Sequence, residues 1–369
     1  MKYLIIFAAV MLAGIMFCSG RIRKNSEKVR NPDLCIGAYY FDGWAGKNNL
    51  SGDPDQPWAE NAPLHLTRRM LEEFPEREPV WGWRDDSLEI MEQQIDTAAD
   101  NGLAFFSFCW FWHDNKSSIN ENAIRDDPKN TGLDLFLKSG NSKRMQFCLM
   151  IANHDWFEIT GPENWEAAAQ YLMPYLTHEQ YLKINGKPLV IIFNGAGGDK
   201  AGFDRMQKAA RDAGLPGLAI ACNWYGTPEQ GYQYRTHYMI SYGYEDGAEK
   251  HSYAELITAA ENEWRGSSEQ PYIPVVTAGF DKRPWEGPNG LFNKREGWYY
   301  TGRTPALFRQ FLEKAVSWIK THPEQTPDEH VILICAWNEY GEGAWIAPTK
   351  GDRNGEYLKV IRSLAMADK

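Results

Sequence analysis

The sequence predicts an α/β fold, a (β/α)8 TIM barrel formed by a single domain with a long loop after its first strand. Short apolar runs of strand length alternate with helical segments along the 369-residue chain. Such alternation is typical of a parallel sheet, and eight units imply closure into a barrel. Polar and aromatic residues gather where the strands end, the face on which barrels carry their active sites. A doubly wound open sheet is the alternative, but no glycine-rich phosphate loop follows the first strand.

The predicted elements follow one another in a regular order. A first strand over 34–40 leads into a loop over 45–85, and so long a connection inside a compact domain is usually a functional insertion. Asp86 or Ser87 can cap the first helix, and the sixth strand has the weakest pattern. The later strands are 103–110, 146–151, 189–193, 218–222, 238–242, 273–277 and 331–334; the helices are 88–101, 133–139, 165–176, 203–213, 253–264, 304–321 and 355–366; and a ribbon over 181–188 turns on Asn185-Gly186.

The composition is that of a globular protein and narrows the choice of partners. Hydrophobic residues make up 43% and charged residues 24% of the sequence, which allows a large core. A formal charge of -10 at pH 7 argues against nucleic acid or an anionic membrane surface as the main partner. The 15 Trp and 18 Tyr suit carbohydrate binding, although a large core also uses such residues.

The N-terminus has the pattern of a targeting segment. Lys2 is followed by an uncharged run over 4–17, which has the length of a signal-peptide core and is short for a transmembrane span. We predict a signal peptide over 1–20, a polar tether over 21–33 and a catalytic domain over 34–369. Cys18 stands where a bacterial lipoprotein is acylated, but Phe17 departs from the usual small residue, so lipidation stays open. We expect export to the periplasm or cell surface.

The five other cysteines are predicted to be small core residues. Each lies inside an apolar, strand-like run, and none has CxxC spacing. An odd number of such thiols in an exported chain does not indicate a disulfide framework.

The strongest functional signal is the stretch over 331–343, VILICAWNEYGEG. An apolar strand ends there in a polar tip that carries Glu339 and Glu342, framed by Trp337, Asn338 and Tyr340. Cleavage of a glycosidic bond needs one carboxyl group to protonate the leaving oxygen and a second to act as nucleophile or base. We therefore predict that both glutamates are catalytic. Two solvated turn residues are the plainer alternative.

Other polar and aromatic residues at strand ends are predicted to bind substrate. His113 and the pair His154-Asp155 could instead ligate a metal, but no HxH or HExxH motif accompanies them, so we expect contacts to hydroxyl groups, no metal and no cofactor. Asp281 and Arg283 would fix a substrate, orient Glu339 or form a salt bridge. The remaining predicted binding residues are Tyr40, Asp42, Trp44, Trp110, Trp112, Asn153, Trp156, Asn194, Asn223, Trp224, Tyr242, Trp337, Asn338 and Tyr340.

Taken together, these stretches resemble a known family. The ending WNEYGEG over 337–343 is similar to the signature of the glycoside hydrolase family 99-like group, also called WbsX-like. Further matches follow in the expected order over about 37–358: 82–84, 94–98, 102–106, ANHDW at 152–156, YLKINGKPL at 181–189 and GFDKRP at 279–284. Ile151 stands where the family has Trp, and His154-Asp155 where it has Asn-Glu, which bears on the sugar preference more than on the chemistry.

The resemblance implies a barrel glycoside hydrolase, related to endo-α-mannosidases, that acts on a complex glycan or polysaccharide. Carried over by position, Glu339 would deprotonate the substrate's own 2-hydroxyl and Glu342 would act as general acid and then base, with net retention. An inactive carbohydrate-binding protein and a glycosyltransferase of polysaccharide biosynthesis remain the alternatives. We expect a monomer with a carbohydrate partner, no nucleic acid, and membrane contact only through an N-terminal lipid anchor.

Overall fold

The computed structural model describes residues 28–113, 118–240, 249–266, 270–287, 290–291 and 297–368. The predicted leader with Cys18, and the predicted binding residue Tyr242, lie outside these ranges. No helix in the described ranges is long and apolar enough to cross a membrane.

Eight parallel strands in the described part of the chain form a nearly closed barrel. They are β1 (Cys35–Tyr40), β2 (Phe105–Trp110), β3 (Gln146–Ile151), β4 (Lys187–Ile192), β5 (Ala219–Asn223), β6 (Tyr234–Thr236), β7 (Val275–Thr277) and β8 (Val331–Cys335). Each strand pairs with the next, and β8 pairs with β1, except at the seam between β6 and β7. There Ile273 N donates to Arg235 O at 2.8 Å and Thr236 Oγ1 donates to Ile273 O at 2.9 Å. The predicted barrel is confirmed.

Helices alternate with these strands as predicted. They are α1 (Leu88–Asp100), α2 (Thr131–Lys138), α3 (Pro162–Leu176), α4 (Lys200–Asp212), α5 (Tyr253–Arg265), α6 (Pro305–Thr321) and α7 (Glu356–Ala365), with the shorter Arg68–Glu73 and Glu121–Asp126. Ser87 caps α1 by accepting from Ile90 N, and Thr304 caps α6 by accepting from Leu307 N. Each long helix turns an apolar face inward; α6, for example, buries Phe308, Phe311 and Leu312.

The sixth strand differs from the prediction, which placed it over 238–242. The structure has it four residues earlier, at Tyr234–Thr236. Residues 238–240 are buried but irregular. Ile240 N donates to Thr277 Oγ1 at 3.0 Å, and Thr277 Oγ1 donates to Ile240 O at 3.3 Å. Beside β7, residue 240 is thus held by the side chain of Thr277 and not by backbone hydrogen bonds between strands. The apolar run was predicted to be a strand, but hydrophobicity alone does not show that a segment pairs with a sheet.

The long loop after β1 is folded against the segment that follows β7. Thr67 Oγ1 donates to Pro284 O at 2.8 Å, and Arg69 Nη1 donates to Arg283 O and Glu286 O, both at 2.8 Å. Because both segments leave the C-terminal ends of strands, these bonds join two distant parts of the chain at the face where a barrel carries its site.

The two ends of the described chain meet at the opposite end of the barrel. Lys28–Arg30 pairs antiparallel with Met366–Asp368. Arg30 Nη2 also donates to Leu103 O and Arg144 O, both at 3.1 Å and both just before strands β2 and β3. Residues 28–30, which the prediction placed in the tether over 21–33, thus form a strand.

The cysteines of the described chain form no disulfide. Cys109, Cys148, Cys222 and Cys335 are buried and Cys35 is half-buried, all inside barrel strands. The prediction that they are core residues is confirmed.

Candidate active site

The two glutamates lie on one hairpin beyond the end of β8. Asn338–Glu339 pairs antiparallel with Ala344–Trp345, and residues 340–343 form the turn between them. Glu339 is thus the last paired residue of the outgoing strand, and Glu342 stands in the turn. A four-residue turn brings their side chains to the same end of the barrel.

The glycines of the hairpin are required by its neighbours. A Cβ on Gly341 would lie 1.9 Å from the ring of Trp285, and one on Gly343 would lie 2.6 Å from Asp281 N. Gly343 also has φ 74°, which side chains disfavour. The sequence YGEG therefore lets the turn pack directly against the segment after β7.

Residues on both sides of Glu339 are held by buried hydrogen bonds. Trp337 Nε1 donates to Gln94 Oε1 at 2.6 Å, and Trp44 Nε1 donates to Asn338 O at 2.7 Å. The Asn338 side chain accepts from Phe41 N and donates to Phe41 O, both at 2.8 Å. These bonds fix the backbone from which Glu339 projects, so its position is set before any ligand binds.

Glu339 is buried and holds a single hydrogen bond from the described residues. It is 4% exposed, and its Oε1 accepts from Tyr238 Oη at 2.7 Å. Among the described residues, no partner reaches Oε2. Burial, followed by the charge of Glu342, raises the pKa of Glu339 well above its usual value, and Tyr238 and Lys282 oppose that rise.

Glu342 is paired with a lysine of the segment after β7. Lys282 Nζ lies 2.9 Å from Glu342 Oε1, and the Glu342 side chain is 15% exposed. The charge of Glu342 is the largest cause of a raised pKa at Lys282. Asp281 N also donates to Glu342 O at 2.6 Å, so both the backbone and the side chain of Glu342 are anchored to this segment.

Two cavities of about 350 Å³ each flank Glu342 and share Phe193, Tyr238 and Glu342 in their walls. The first, called here the inner lobe, also contains Glu339; the second, called the outer lobe, does not. Further residues of the inner lobe are Phe41, Asn49, Leu64, His65, Cys109, Phe111, Lys129, Met150, Ala152, His154, Phe157, Trp285 and Leu291, and those of the outer lobe are Trp224, Met239, Phe280, Lys282, Glu286, Gly297 and Trp298.

The cleft brings together four of the residues predicted from the sequence, and these are Glu339, Glu342, His154 and Trp224. Others are buried and line neither lobe: Tyr40, Asp42, Trp44, Trp110, Trp112, Asn153, Asn223, Trp337, Asn338 and Tyr340. His113 and Asn194 are half-buried and Asp155 and Trp156 exposed, and none of the four lines either lobe.

Asp281 and Arg283 form an ion pair, one of the roles predicted for them. Arg283 Nε and Nη2 donate to the two carboxylate oxygens of Asp281, each at 2.8 Å. Arg77 Nη2 reaches Asp281 Oδ2 at 2.6 Å, and Arg77 Nη1 donates to Tyr340 O at 2.9 Å. These arginines keep the pKa of Asp281 below its usual value against the effect of burial. The cluster ties the hairpin to the segment after β7.

Much of the cleft comes from residues that the sequence did not single out as binding residues. Lys282 and Trp285 belong to the stretch GFDKRPW, where the prediction named only Asp281 and Arg283. Tyr238 begins the stretch predicted as the sixth strand. His65 and Phe157 come from loops and Lys129 from the short 3-10 helix Pro128–Asn130, and no sequence signal would have placed them.

Two buried aspartates lie behind the hairpin. Asp85 Oδ2 accepts from Tyr40 Oη at 3.2 Å and from Asn338 Nδ2 at 3.4 Å, and Asp42 Oδ1 accepts from Gly132 N at 2.9 Å. Burial raises the pKa of Asp85 to about 7. Burial and then the charge of Asp85 raise the pKa of Asp42 well above its usual value.

We expect Asp85 to make stability depend on pH. A carboxyl group whose pKa is raised by folding favours the folded state fully below its unfolded pKa, and that contribution is lost as the pH rises through the folded pKa. For Asp85 the window runs from 3.8 to about 7. The melting temperature of the wild type minus that of Asp85→Asn should therefore fall between pH 4 and pH 8. A difference that is constant over this range would contradict the prediction.

Metal ligation finds no support in the described residues, which contain no group of three or more His, Cys, Asp or Glu able to hold an ion. The imidazole of His154 instead contacts Asp155 O through Nδ1 at 3.0 Å. Burial lowers the pKa of His154. The ring is then neutral at neutral pH and can bind a hydroxyl group through its second nitrogen.

Comparison with known sequences gives one family. A family profile described as Glycosyltransferase WbsX matches residues 82–361, which include β2 to β8, the hairpin and most of α7. No curated protein matches the chain.

Solved structures share the barrel at low sequence identity. The GH99 endo-alpha-mannosidase from Bacteroides thetaiotaomicron, in complex with Bis-Tris-propane, matches with a TM-score of 0.56 at 16% identity, covering 90% of this chain and 95% of that chain. A structure described as a glycoside hydrolase-like protein matches with a TM-score of 0.58 at 16% identity, covering 91% and 95%. These matches establish a common fold over nearly the whole chain.

Proposed function

The chain belongs to the family described as glycosyltransferase WbsX, and we propose from its cleft that it is a glycoside hydrolase acting on a complex glycan. One observation carries the proposal: Glu339 and Glu342 stand on one hairpin and line one cavity, and Glu342 also lines the next. Two carboxyl groups on one cleft are what hydrolysis of an O-glycosidic bond requires. Two solved structures with the same barrel, an endo-alpha-mannosidase and a glycoside hydrolase-like protein, support the same class.

The positions of the glutamates suggest their roles. A general acid must reach the oxygen that joins two sugars, so it has to stand between the two subsites. Glu342 lines both lobes, whereas Glu339 lines only the inner lobe. We assign the inner lobe to the sugar whose anomeric carbon reacts and the outer lobe to the leaving sugar. Glu342 is then the acid and later the base, and Glu339 acts on the sugar in the inner lobe.

Substrate binding has to favour the charged form of Glu339. In the empty cleft, burial favours the neutral form of Glu339, whereas its role as a base requires the carboxylate. A sugar hydroxyl that donates to the unpartnered Oε2 of Glu339 would stabilise the carboxylate, because hydrogen bonds to the charged form lower a carboxyl pKa. The same hydroxyl, at the 2-position, is the one that the resemblance has Glu339 deprotonate. Net retention follows from that sequence of steps.

Tyr238 should tune the pH at which Glu339 becomes a base. Its hydroxyl donates to Glu339 and thereby lowers the carboxyl pKa, so Tyr238→Phe raises that pKa. We expect the acidic limb of kcat/KM against pH to move upward by about one unit in Tyr238→Phe. Tyr340→Phe is the matched control, because the Tyr340 hydroxyl has no partner among the described residues. A limb that moves equally in both variants, or in neither, would refute the role of Tyr238.

Two other classes of function remain testable alternatives. The family description names a glycosyltransferase, which would need an activated sugar donor. An inactive binding protein would keep the cleft and lack turnover. Neither alternative calls for a glutamate pair in which one carboxyl group is buried and the other reaches both lobes, and that arrangement favours hydrolysis.

One experiment separates the three classes. Wild type and Glu342→Gln would be incubated with α-mannans and with other microbial and plant polysaccharides, and the released sugars measured. Release by wild type alone supports the hydrolase. Glycan binding by both proteins without release indicates a binding protein. Stabilisation against heat by a nucleoside diphosphate, with sugar transfer from its sugar conjugate, would indicate a transferase.

We also propose that the chain is exported, on the strength of its N-terminal sequence. Labelling with palmitate in a bacterial host would test acylation at Cys18. We expect label in the wild type that is lost in Cys18→Ala if the lipoprotein pattern is used, and no label in either if the leader is simply removed.

A further inference from the structure

The inner lobe is bounded by two groups of aromatic rings. In one, the ring of Phe41 lies 5.2 Å from that of His65 and 6.0 Å from that of Trp285, between centroids. In the other, Phe157 lies 5.1 Å from Phe111 and 5.3 Å from His154, and His154 lies 5.3 Å from Phe193. Such rings pack against the C–H faces of a sugar and leave its hydroxyl groups to other partners.

The rest of the lining is largely apolar as well. Cys109, Met150 and Ala152 stand at the ends of β2 and β3 and are at most 3% exposed. Leu64 and Leu291 add two aliphatic side chains. The lobe that holds both glutamates therefore offers a substrate mostly carbon and sulfur surface.

The polar groups of the described lining are few, and several are already engaged. Lys129 Nζ bonds Asp127 Oδ1 at 2.8 Å and lies 5.0 Å from the centre of the Phe157 ring. The His65 ring contacts Gly43 O at 3.1 Å, and burial lowers its pKa to about 4, so it is neutral at neutral pH. Asn49 is exposed. Asp42, Asn153 and Asn223, which the sequence suggested for hydroxyl groups, are buried outside the lobe.

We propose that the sugar bound in the inner lobe is a 6-deoxyhexose, which carries a methyl group where an ordinary hexose carries a hydroxymethyl group. The inference rests on the proposed function, because it takes this lobe as the site of the reacting sugar. A hydroxymethyl oxygen against an apolar lining loses its hydrogen bonds to water without replacement. A methyl group in the same place binds more favourably, because its apolar surface is removed from water. A pentose lacks that carbon, so the lining would lose its van der Waals contacts with it.

The position follows from the chemistry of the ring. The 2-hydroxyl is needed by Glu339, and the two imidazoles and Asn49 line the same lobe as hydrogen-bonding groups for the other ring hydroxyls. Loss of the oxygen at C6 turns the exocyclic arm into a methyl group that can contact the apolar lining, while the 2-hydroxyl stays available to Glu339. The preference for methyl over hydroxymethyl should therefore be visible in any configuration that the enzyme accepts.

A series of glycosyl fluorides tests the proposal, because fluoride needs no contact with the outer lobe. For the manno, gluco and galacto configurations, in both anomers, the series compares methyl, hydroxymethyl and hydrogen at C5. We expect kcat/KM to be about 10- to 100-fold higher for methyl than for hydroxymethyl in the configuration that is turned over. Equal or higher kcat/KM for the hydroxymethyl compound would overturn the proposal.

The binding of the corresponding methyl glycosides, measured by calorimetry on Glu342→Gln, separates this inference from the proposed function. Preferential binding of the methyl-bearing sugars without any turnover of fluorides by wild type would sustain the inference and refute the hydrolase. Turnover with a preference for the hydroxymethyl sugars would support the hydrolase and overturn the inference. Binding without a preference, or no binding at all, would overturn the inference.

A pair of variants locates the discrimination. Met150 Sδ accepts from Asn223 Nδ2 at 3.5 Å, so Met150→Gln keeps the length of the side chain and brings an amide to a place with a polar neighbour. We expect its methyl-to-hydroxymethyl ratio to narrow by about threefold or more, and the ratio of Met150→Leu to stay as in the wild type. Melting curves check that both fold. An unchanged ratio in Met150→Gln would overturn the assignment to this lining.

Discussion

Replacing Glu342 with glutamine will lower kcat/KM on the natural glycan by about 10²- to 10⁴-fold, which is the usual rate contribution of a positioned general acid. Glutamine keeps the size of the side chain and its contact with Lys282 but supplies no exchangeable acid. The matched control is Glu356→Gln on the exposed side of α7, where the carboxylate pairs with Lys359 at 2.7 Å. The control should keep wild-type activity.

Substrates with different leaving groups distinguish the roles of the two glutamates. Departure of fluoride needs little protonation, so Glu342→Gln should hydrolyse a glycosyl fluoride within about tenfold of the wild-type rate in the first step. Glu339→Gln should lose activity on glycan and fluoride alike, because it removes the group that acts on the reacting sugar. The opposite pattern would make Glu339 the acid. Near wild-type turnover by both variants would contradict the proposed hydrolase.

Replacing Gly341 with alanine should have the second-largest effect, on stability and activity together. The new methyl group would lie 1.9 Å from the Trp285 ring, so either the ring or the hairpin must move. Overpacking of this kind typically lowers the free energy of unfolding by about 1–3 kcal/mol. Because Trp285 lines the inner lobe and Glu342 is the next residue, we also expect a loss of kcat/KM of about 10²-fold.

Gly140→Ala is the control for that variant. A Cβ at position 140 meets only Glu92 Oε1, at 3.4 Å, which is an ordinary contact with a movable side chain. Denaturant unfolding and kcat/KM would be measured on both variants, and Gly341→Ala should lose more of both quantities than Gly140→Ala. Equal changes in the two variants would show that the packing of Gly341 against Trp285 does not hold the site.

The barrel could be predicted because its signals are local. Strands buried on both faces appear as continuous apolar runs, and VILIC at 331–335 is one of them. Caps such as Ser87 and Thr304 mark where helices begin. The hairpin could be found for the same reason, since its two acids and two glycines are adjacent in the chain.

The orientation of the flanking residues could not be predicted from the same signals. Tyr39 and Tyr40 are neighbours in β1, yet Tyr39 Oη donates to His237 O at 3.0 Å while Tyr40 Oη donates to Asp85. When both faces of a strand are buried, hydrophobicity does not say which residue points to which side. A polar residue at a strand end can then face the cleft, as His154 does, or bond to the backbone behind it, as Asn338 does.

Long-range contacts account for the rest of the cleft. Trp285 and His65 are far apart in sequence, but Trp285 Nε1 donates to His65 O at 3.0 Å and both rings line the inner lobe. That pairing depends on how two loops of irregular structure meet. Neither the spacing of residues nor the composition of the sequence indicates this contact.

The pairing of Lys28–Arg30 with Met366–Asp368 determines on which side of the barrel the protein can be attached to a support. Both ends of the described chain emerge beneath the barrel, and the cleft opens at the other end of the strands, about 20 Å away for a strand of six residues. A molecule immobilised through residues 28–30 or 366–368 on a bead or a sensor chip would present its cleft away from the support. A large ligand would then approach the cleft without obstruction from the support.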